Sequence, residues 1–323
     1  MEAWEKSLRP KTLADFIGQG ELKKRISLLI EASKARGDSP DHILFYGPPG
    51  LGKTTLASII ANELSSPFFQ LSGPSISRAG DLAAILSGLE KGSVLFIDEV
   101  HRIPRSCEEM LYSAMEDYRI DIVVGKGVMA KTISIDLPPF TLIGATTRLG
   151  LLTGALRSRF GVIERIDFYP VEELEQIVFR SAMILGVEIS KEAAKEVAIR
   201  GRGTPRIVNR LLKRIRDYAQ VEGREFIDRE LTLRALDFYG VDPYGLDLTD
   251  WRLISIIIEK FSGGPVGIET LAAALNEEPD TISEVYEPYL MRMGFIERTK
   301  RGRVATQRAY EIWKRRGCNG IFG

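Results

Sequence analysis

Cysteine is scarce in this chain. Cys107 and Cys318 are the two cysteines among 323 residues, far apart and without metal-ligand spacing, which excludes a disulfide-stapled scaffold and suits a reducing compartment. Long apolar runs are missing as well. None approaches the roughly 18 residues that a membrane helix needs. The opening stretch, MEAWEKSLRPK, has no apolar h-region, so a signal peptide is not expected. An excess of charge of one sign is also absent, with 44 Lys plus Arg against 44 Asp plus Glu, so net charge points to no nucleic-acid partner and only its distribution can. Hydrophobic residues at 44% and charged residues at 27% are ordinary for a globular protein, and the length allows two or three domains. The expectation is a soluble, cytoplasmic protein with no membrane contact.

The most informative stretch is YGPPGLGKTTLA, Tyr46 to Ala57. A buried strand, HILFYG, leads into it and a helix, KTTLASIIANEL, leads out. Gly47, Gly50, Leu51, Gly52, Lys53 and Thr54 fit G-x-x-x-x-G-K-[ST] in the strand-loop-helix context that gives the pattern meaning. Glycines let backbone N–H groups turn inward around phosphate oxygens, and the helix N-terminus adds positive potential there. Lys53 is expected to reach the β- and γ-phosphates, Thr54 to ligate Mg²⁺, and Thr55 to sit by the α-phosphate of ATP.

SVLFIDEVH reads as a buried parallel strand that delivers Asp98 and Glu99 at its C-terminal end, where α/β sheets bind ligands. Asp98 is the candidate to hold Mg²⁺ and Glu99 the candidate to orient and deprotonate an attacking water. The alternative is two carboxylates capping a helix near Ile103. A glutamate beside the γ-phosphate argues for hydrolysis over kinase chemistry. FTLIGATTR ends in Thr146 and Thr147, polar residues at a strand tip that can sense the γ-phosphate. In LTGALRSRFG, Arg157 and Arg159 lie in a short helix with no acidic neighbour in the segment. Facing outward, such an arginine serves a neighbouring subunit's nucleotide; the alternative is a solvated helix end.

One segment interrupts the α/β pattern. MEDYRIDIVVGKGVMAKTISIDLPPF alternates apolar residues with period two on both sides of GKG, the signature of a β-hairpin. Ile133, Ile135 and Leu137 fall on one face. An exposed apolar face marks a partner site; a hairpin packed on its own domain is the alternative.

From about Tyr169 the apolar spacing becomes three and four throughout four short helices, an all-α lid. In RGTPRIVNR, Pro205 suits a first helical turn and Arg206 is placed to point back toward the γ-phosphate. Beyond residue 243, three helices followed by FIERTKRGRVATQRAYEIW, read as strand, basic turn, strand, suggest a winged helix. Arg298, Lys300, Arg301 and Arg303 cluster on that wing, whereas the preceding helix carries Asp280, Glu284 and Glu287. Phosphate contact is therefore expected from the wing, indifferent to base sequence and weakened by salt, with a solvated basic hairpin as the alternative.

The set GPPGLGKTT, LFIDEVH, GATTR and LRSRFG resembles an AAA+ ATPase, and LRPKTLADFIGQ, AGDLAAILS, AMEDYRIDIVVG, LPPFTLIGATTRLG, RGTPRIVNRLL, GGPVG and TKRGRVAT narrow the resemblance to the bacterial RuvB family of Holliday-junction branch-migration motors. It covers nearly the whole chain. The resemblance implies an α/β P-loop AAA+ ATPase domain with the inserted hairpin (1–168), an all-α lid domain (169–242) and a C-terminal winged-helix domain (243–323). It implies that Thr147 is the strand-tip sensor, that Arg159 reaches the adjacent subunit's ATP, and that Arg206 is the second sensor. Leu8, Arg9 and Ile17 match the adenine-side wall, and Tyr169 the adenine edge of the cleft. Ile133 and Ile135 match the hairpin face that docks on RuvA, the junction-binding partner. Glu116, Asp117 and Tyr118, just ahead of the hairpin, are candidates for lining a neighbour's nucleotide in a homohexameric ring. The implied activity is ATP hydrolysis coupled to branch migration of duplex DNA at four-way junctions. A clamp-loader-like AAA+ protein is the nearest rival. An ATP-switched DNA-binding regulator and a metabolic P-loop kinase are weaker ones.

Overall fold

The computed structural model describes residues 7–124 and 131–318. The GKG turn expected at the hairpin tip and the last five residues lie outside these. The chain forms two compact units, Met1–Phe168 and Tyr169–Gly323.

The first unit is built on a five-stranded parallel sheet. Its strands are β1 (Ile43–Tyr46), β2 (Phe68–Ser72), β3 (Val94–Asp98), β6 (Thr141–Thr146) and β7 (Val162–Arg165), in the order β2-β3-β6-β1-β7. The three inner strands are continuous apolar runs, and β6 is buried along its whole length, as a sheet covered on both faces requires. Parallel strands end on one edge. Tyr46 pairs with Thr146, and Ile97, one residue before Asp98, pairs with Gly144. The ends of β1, β3 and β6 thus fall side by side. The outer strands β2 and β7 are shorter on apolar signal and went unrecognised in the sequence; both are only partly buried.

Helices α1 (Gly20–Arg36), α2 (Lys53–Glu63), α3 (Ala79–Ser87) and α4 (Arg105–Glu116) flank this sheet. Leu82 and Leu86 of α3 and Leu111 and Ala114 of α4 share one core with Leu95 and Leu142 of the sheet. The hairpin, β4 (Arg119–Val124) and β5 (Lys131–Asp136), is rooted in that core. Ile120 is buried there and pairs with Ile135, which packs half-buried against the same cluster; Ile122 pairs with Ile133. The apolar face is thus graded, from buried Leu137 to Ile133, which is 49% exposed.

The second unit opens with α6 (Val171–Leu185), α7 (Lys191–Arg200), α8 (Pro205–Val221) and α9 (Arg229–Phe238), following the short α5 (Gly154–Arg157) of the first. Their starts are set locally: the Ser190 hydroxyl accepts from the Ala193 N–H, and the Asp228 carboxylate from the Leu231 N–H. The lid is not purely helical. Two-residue strands β8 (Glu188–Ile189) and β9 (Phe226–Ile227) pair in parallel, too short to leave a periodic signal.

Next come α10 (Leu248–Ser255), which runs on into a π turn over Ile256–Lys260, then α11 (Ile268–Leu275), and a helical run of α12 (Pro279–Thr281), a second π turn and α13 (Glu287–Arg292). Strands β10 (Ile296–Thr299) and β11 (Gly302–Ala305) form the wing, and an isolated antiparallel bridge joins Val266 to Arg303 on the other side of β11. The segment after Ala305 departs from the expected strand. Gln307–Cys318 is a helix, α14. The Thr306 hydroxyl accepts from the Ala309 N–H, and Ala309, Ile312 and Trp313 give the three-and-four spacing that packs one helix face on the core.

Candidate nucleotide and DNA sites

The loop after β1 can be made only with glycine at key points. Gly47 has φ 142°, and a Cβ there would stand 2.3 Å from the Ile166 carbonyl oxygen. Gly50 and Gly52 sit at φ 79° and 106°. Gly52 heads α2 without a side-chain cap, so the first N–H groups of the helix are left to whatever the loop encloses. Leu51 is fully buried and anchors the loop from beneath. The buried Lys53 ammonium donates to the Gly47 and Pro48 carbonyl oxygens, at 2.7 and 2.8 Å, and so folds over the loop's concave side.

Thr54 and Asp98 meet across the sheet edge, with the hydroxyl 3.4 Å from Asp98 Oδ2. Glu99 follows with φ 49°, a left-handed residue that turns the chain out of β3, and its N–H donates to Asp98 Oδ1 at 3.1 Å. Gly73 is required next to it, because a Cβ there would lie 2.3 Å from the Glu99 carbonyl oxygen. The Glu99 carboxylate leans toward the end of β6. Its Oε2 accepts from the Thr147 hydroxyl at 3.1 Å and from the Thr147 N–H at 3.5 Å.

A further residue belongs to this cluster. His101 has a side chain 5% exposed, with Nδ1 3.2 Å from Glu99 Oε2. The same nitrogen is 2.9 Å from the Thr146 hydroxyl, whose oxygen also accepts from the Arg148 N–H at 3.0 Å. The left-handed turn at Glu99 is what swings the two side chains together. Their spacing in DEVH is the only signal the sequence carries. The expected helix near Ile103 begins at Arg105, after a single tight turn, so Asp98 and Glu99 do not cap it.

Arg159 is not a free helix end. Its Nη2 is 3.0 Å from Glu116 Oε2, its Nη1 donates to the Ala155 carbonyl at 2.7 Å, and its guanidinium lies 4.4 Å from the Tyr112 ring centre. The acidic partner comes from another element, which the segment alone did not reveal. Arg159 Nε is buried without a hydrogen-bond partner among the described residues. Tyr118, at φ 48°, sets its ring edge-on to Phe140 and His42, and burial pushes its hydroxyl above the ordinary tyrosine range. Asp117 is exposed beside it. At the amino end, Leu8 is buried, and Arg9 and Ile17 are half-buried. The Leu13 N–H donates to Glu63 and the Asn62 amide to the Lys11 carbonyl, which tie this segment to the end of α2.

In the second unit, buried Tyr169 donates its N–H to the Gly203 carbonyl at 2.9 Å, in the loop that starts α8. Pro205 is the first residue of that helix and Arg206, exposed, the second.

On the wing, Arg298, Lys300 and Arg301 are exposed. Arg303 is not, and here the expectation of a four-cation contact surface is corrected. Its guanidinium is 7% exposed and paired with Glu287, 4% exposed, through Nε to Oε1 and Nη2 to Oε2. Arg298 stands directly opposite Arg303 in the ladder, so register does not separate the two; what sets Arg303 apart is the Glu287 carboxylate that holds it. Glu287, neutralised in this pair, offers no repulsion to phosphate either. Among the described residues no group of His, Cys, Asp and Glu is arranged to hold a metal by itself, and no helix is long and apolar enough to cross a membrane.

Comparison with known proteins agrees with this layout. Residues 8–166 match the Holliday junction DNA helicase RuvB P-loop domain, residues 169–242 the RuvB AAA lid domain, and residues 243–314 the RuvB C-terminal winged helix domain. The solved structure of the Thermotoga maritima RuvB Holliday junction branch migration motor is 51% identical, with 95% of this chain and 98% of that one covered and a TM-score of 0.88. A mutant of the same Thermotoga maritima protein, also 51% identical over 95% and 98%, superposes with a TM-score of 0.89. The matches continue through a RuvB-type winged helix and give the clamp-loader reading no support. Three consecutive domains, each matched in its RuvB form, place the chain in the RuvB family of Holliday junction DNA helicases.

Proposed function

We propose that this protein is an ATP-driven motor that moves duplex DNA through four-way junctions. The observation that carries the reading is the cluster at the sheet edge, where Lys53, Thr54, Asp98, Glu99 and Thr147 stand on one side of a glycine-built phosphate loop. Lys53 and the α2 N-terminus, with Gly47, Gly50, Leu51, Gly52 and Thr55, hold the triphosphate. Leu8, Arg9 and Ile17, and Tyr169 of the lid, flank the adenine side, and Pro205 contributes to nucleotide binding from the start of the helix that carries Arg206. A hydroxyl and a carboxylate oxygen 3.4 Å apart are hard donors of the kind a small divalent cation takes, so Thr54 and Asp98 fit Mg²⁺. Bound there, the cation would neutralise charge on the phosphate oxygens.

Hydrolysis needs a base on the water that attacks the γ-phosphorus. Glu99 is that base: its carboxylate accepts the water's proton as the P–O bond to ADP breaks and inorganic phosphate leaves. Thr147 and His101 hold the same carboxylate, so they set where it points. Arg159 completes the site of an adjacent copy in a homohexameric ring, and Glu116 with Asp117 and Tyr118 borders that shared site. Arg206 reads the γ-phosphate from the lid, and its release alters the lid's orientation. Arg298, Lys300 and Arg301 grip the DNA backbone. The hairpin docks on RuvA through Ile133, with half-buried Ile135 supporting it. The working compartment is the cytoplasm.

The decisive experiment follows ATP hydrolysis and strand movement on a synthetic four-way junction with and without RuvA. Hydrolysis stimulated by the junction and accompanied by strand exchange is expected. Hydrolysis indifferent to DNA, or complete activity in a strictly monomeric protein, overturns the reading.

A further inference from the structure

The second unit contains a buried charge cluster that the nucleotide and DNA sites do not use. It joins the loop ahead of α8 to the start of α10. Arg202 lies in this loop, four residues before Arg206, and adopts φ 54°, a conformation unfavourable for any residue with a Cβ. Its guanidinium explains why the conformation is kept. Nε donates to the Gly245 carbonyl at 2.7 Å, Nη2 bonds Asp250 Oδ2 and stands 3.3 Å from Asp247 Oδ2, and the guanidinium carbon lies 5.1 Å from the Tyr289 ring centre. Asp250 is wholly buried, with Arg202 11% exposed. The two backbones also touch closely: a Cβ on Gly245 would stand 2.8 Å from the Arg200 carbonyl oxygen. Arg200 adds a second tie, donating to the Asp242 carbonyl at 3.1 Å.

Asp250 reaches further into the winged-helix part. It is the second half of the capping box that starts α10, where it accepts from the Asp247 N–H at 2.9 Å. Trp251 donates to Asp242, and the Tyr289 hydroxyl donates to the Tyr244 carbonyl, so α10, α13 and the connecting loop are fastened to the same point. One oxygen, Asp250 Oδ1, has no hydrogen-bond partner among the described residues. A contact meant only for stability gains nothing from an orphaned buried oxygen.

We propose that the Arg202–Asp250 pair is a clamp that makes the Arg206 turn and the winged-helix part move as one body, so that a change at Arg206 is delivered to the wing. Both are positioning residues. They touch neither nucleotide nor DNA and act through Arg206 on one side and α10 on the other. The inference rests on the motor reading above.

The clamp also titrates. Burial pushes the Asp250 carboxyl up to about 7, with Asp247 assisting and Arg202 opposing. Asp242, Tyr286 and Tyr289 are the other ionisable groups around it; burial raises Tyr286, and raises Tyr289 to about 12, so both tyrosines stay neutral. The ion pair is therefore formed above neutral pH and lost as the carboxyl gains its proton.

The test is the coupling ratio, strand displacement on a four-way junction divided by ATP hydrolysed in the same reaction, with the full chain and RuvA. Asp250→Asn keeps the shape and the cap acceptor and removes the charge. Arg202→Gly with Asp250→Asn removes both charges, and glycine is at ease at the loop's φ. Both variants are expected to keep DNA-free ATPase and DNA affinity within about twofold while the coupling ratio falls about fivefold or more. In the wild type the ratio drops from about pH 8 to about pH 6, and in Asp250→Asn it is level over that window. A purely structural contact would shift melting temperature and leave the ratio alone. An unchanged ratio in the variants, or a wild-type ratio flat with pH, overturns the clamp while leaving the motor intact. A wild type that hydrolyses ATP without moving strands overturns the motor reading itself.

Discussion

The Thr147 hydroxyl donates to Oε2 of Glu99 across 3.1 Å, so the residue ending one strand holds the carboxylate that follows another. The proposed sensor of the γ-phosphate and the proposed base are thus one hydrogen-bonded pair. Glu99→Gln keeps an acceptor for Thr147 and loses the capacity to take a proton. Nucleotide affinity is expected to hold while kcat falls by about 10² to 10⁴. Equilibrium binding of a fluorescent ATP analogue beside steady-state ATPase measures both; turnover near the wild-type rate would assign the base elsewhere.

His101 holds the same carboxylate oxygen and the Thr146 hydroxyl. Removing the ring in His101→Ala lets Glu99 swing without breaking the loop that binds phosphate. The expected outcome is kcat lower by roughly 10- to 100-fold with KM little changed, since misplacing a reacting group costs that much. Equal losses in KM and kcat would mean that the loop itself had been disturbed.

Arg159 is held by Glu116 and by the Tyr112 ring, while Lys53 lies buried over its own loop. If Arg159 works on the next copy, Arg159→Ala and Lys53→Arg proteins are each inactive but complementary. Mixed in equal amounts, they are expected to recover a measurable part of the wild-type ATPase, because some boundaries pair an intact loop with an intact arginine. An inert mixture that still assembles by sedimentation would sink the shared site.

The wing separates two roles that charge alone merges. Arg303→Ala strands the buried Glu287 carboxylate and is expected to cost about 3–5 kcal/mol of stability, read by denaturant unfolding. Arg298→Ala, Lys300→Ala and Arg301→Ala leave stability within about 0.5 kcal/mol. Each weakens duplex binding uniformly across sequences and flattens the salt dependence by about one unit of log–log slope.

His42 sets an acid limit on the first unit. Its Nδ1 accepts from the Leu142 N–H at 2.9 Å, and its Nε2 donates to the Met115 carbonyl at 3.1 Å, so the folded ring is neutral. Burial lowers its pKa from 6.5. The unfolded chain therefore binds the proton first, and stability present above about pH 6.5 is lost as pH falls below it. Denaturant titrations from about pH 8 to pH 5 are expected to show this loss, and His42→Gln to blunt it. Equal slopes in both proteins would remove His42 as the cause.

The phosphate loop, the DEVH strand and the lid's Pro205-Arg206 turn were legible because each is a local matter. A glycine at φ 142°, an apolar run ending in carboxylates, and a proline in a first helical turn are decided within a few residues. The outer strands β2 and β7 were not legible, since edge strands need little apolar signal. Helix α14 was read as a strand because Thr306 and Ala309 disclose the cap only once the wing fixes where the chain turns.

By itself, the order of residues determined that this chain cradles phosphate, where the carboxylates stand, and that cations gather near its end. Only tertiary structure decided which of those charges are free to act. Arg303 is spent on Glu287 and Arg202 on Asp250 48 residues away, while Arg298 stays in solvent. The reason is physical: backbone conformation is chosen by near neighbours, whereas burial and ion pairing are chosen by whatever the fold brings alongside.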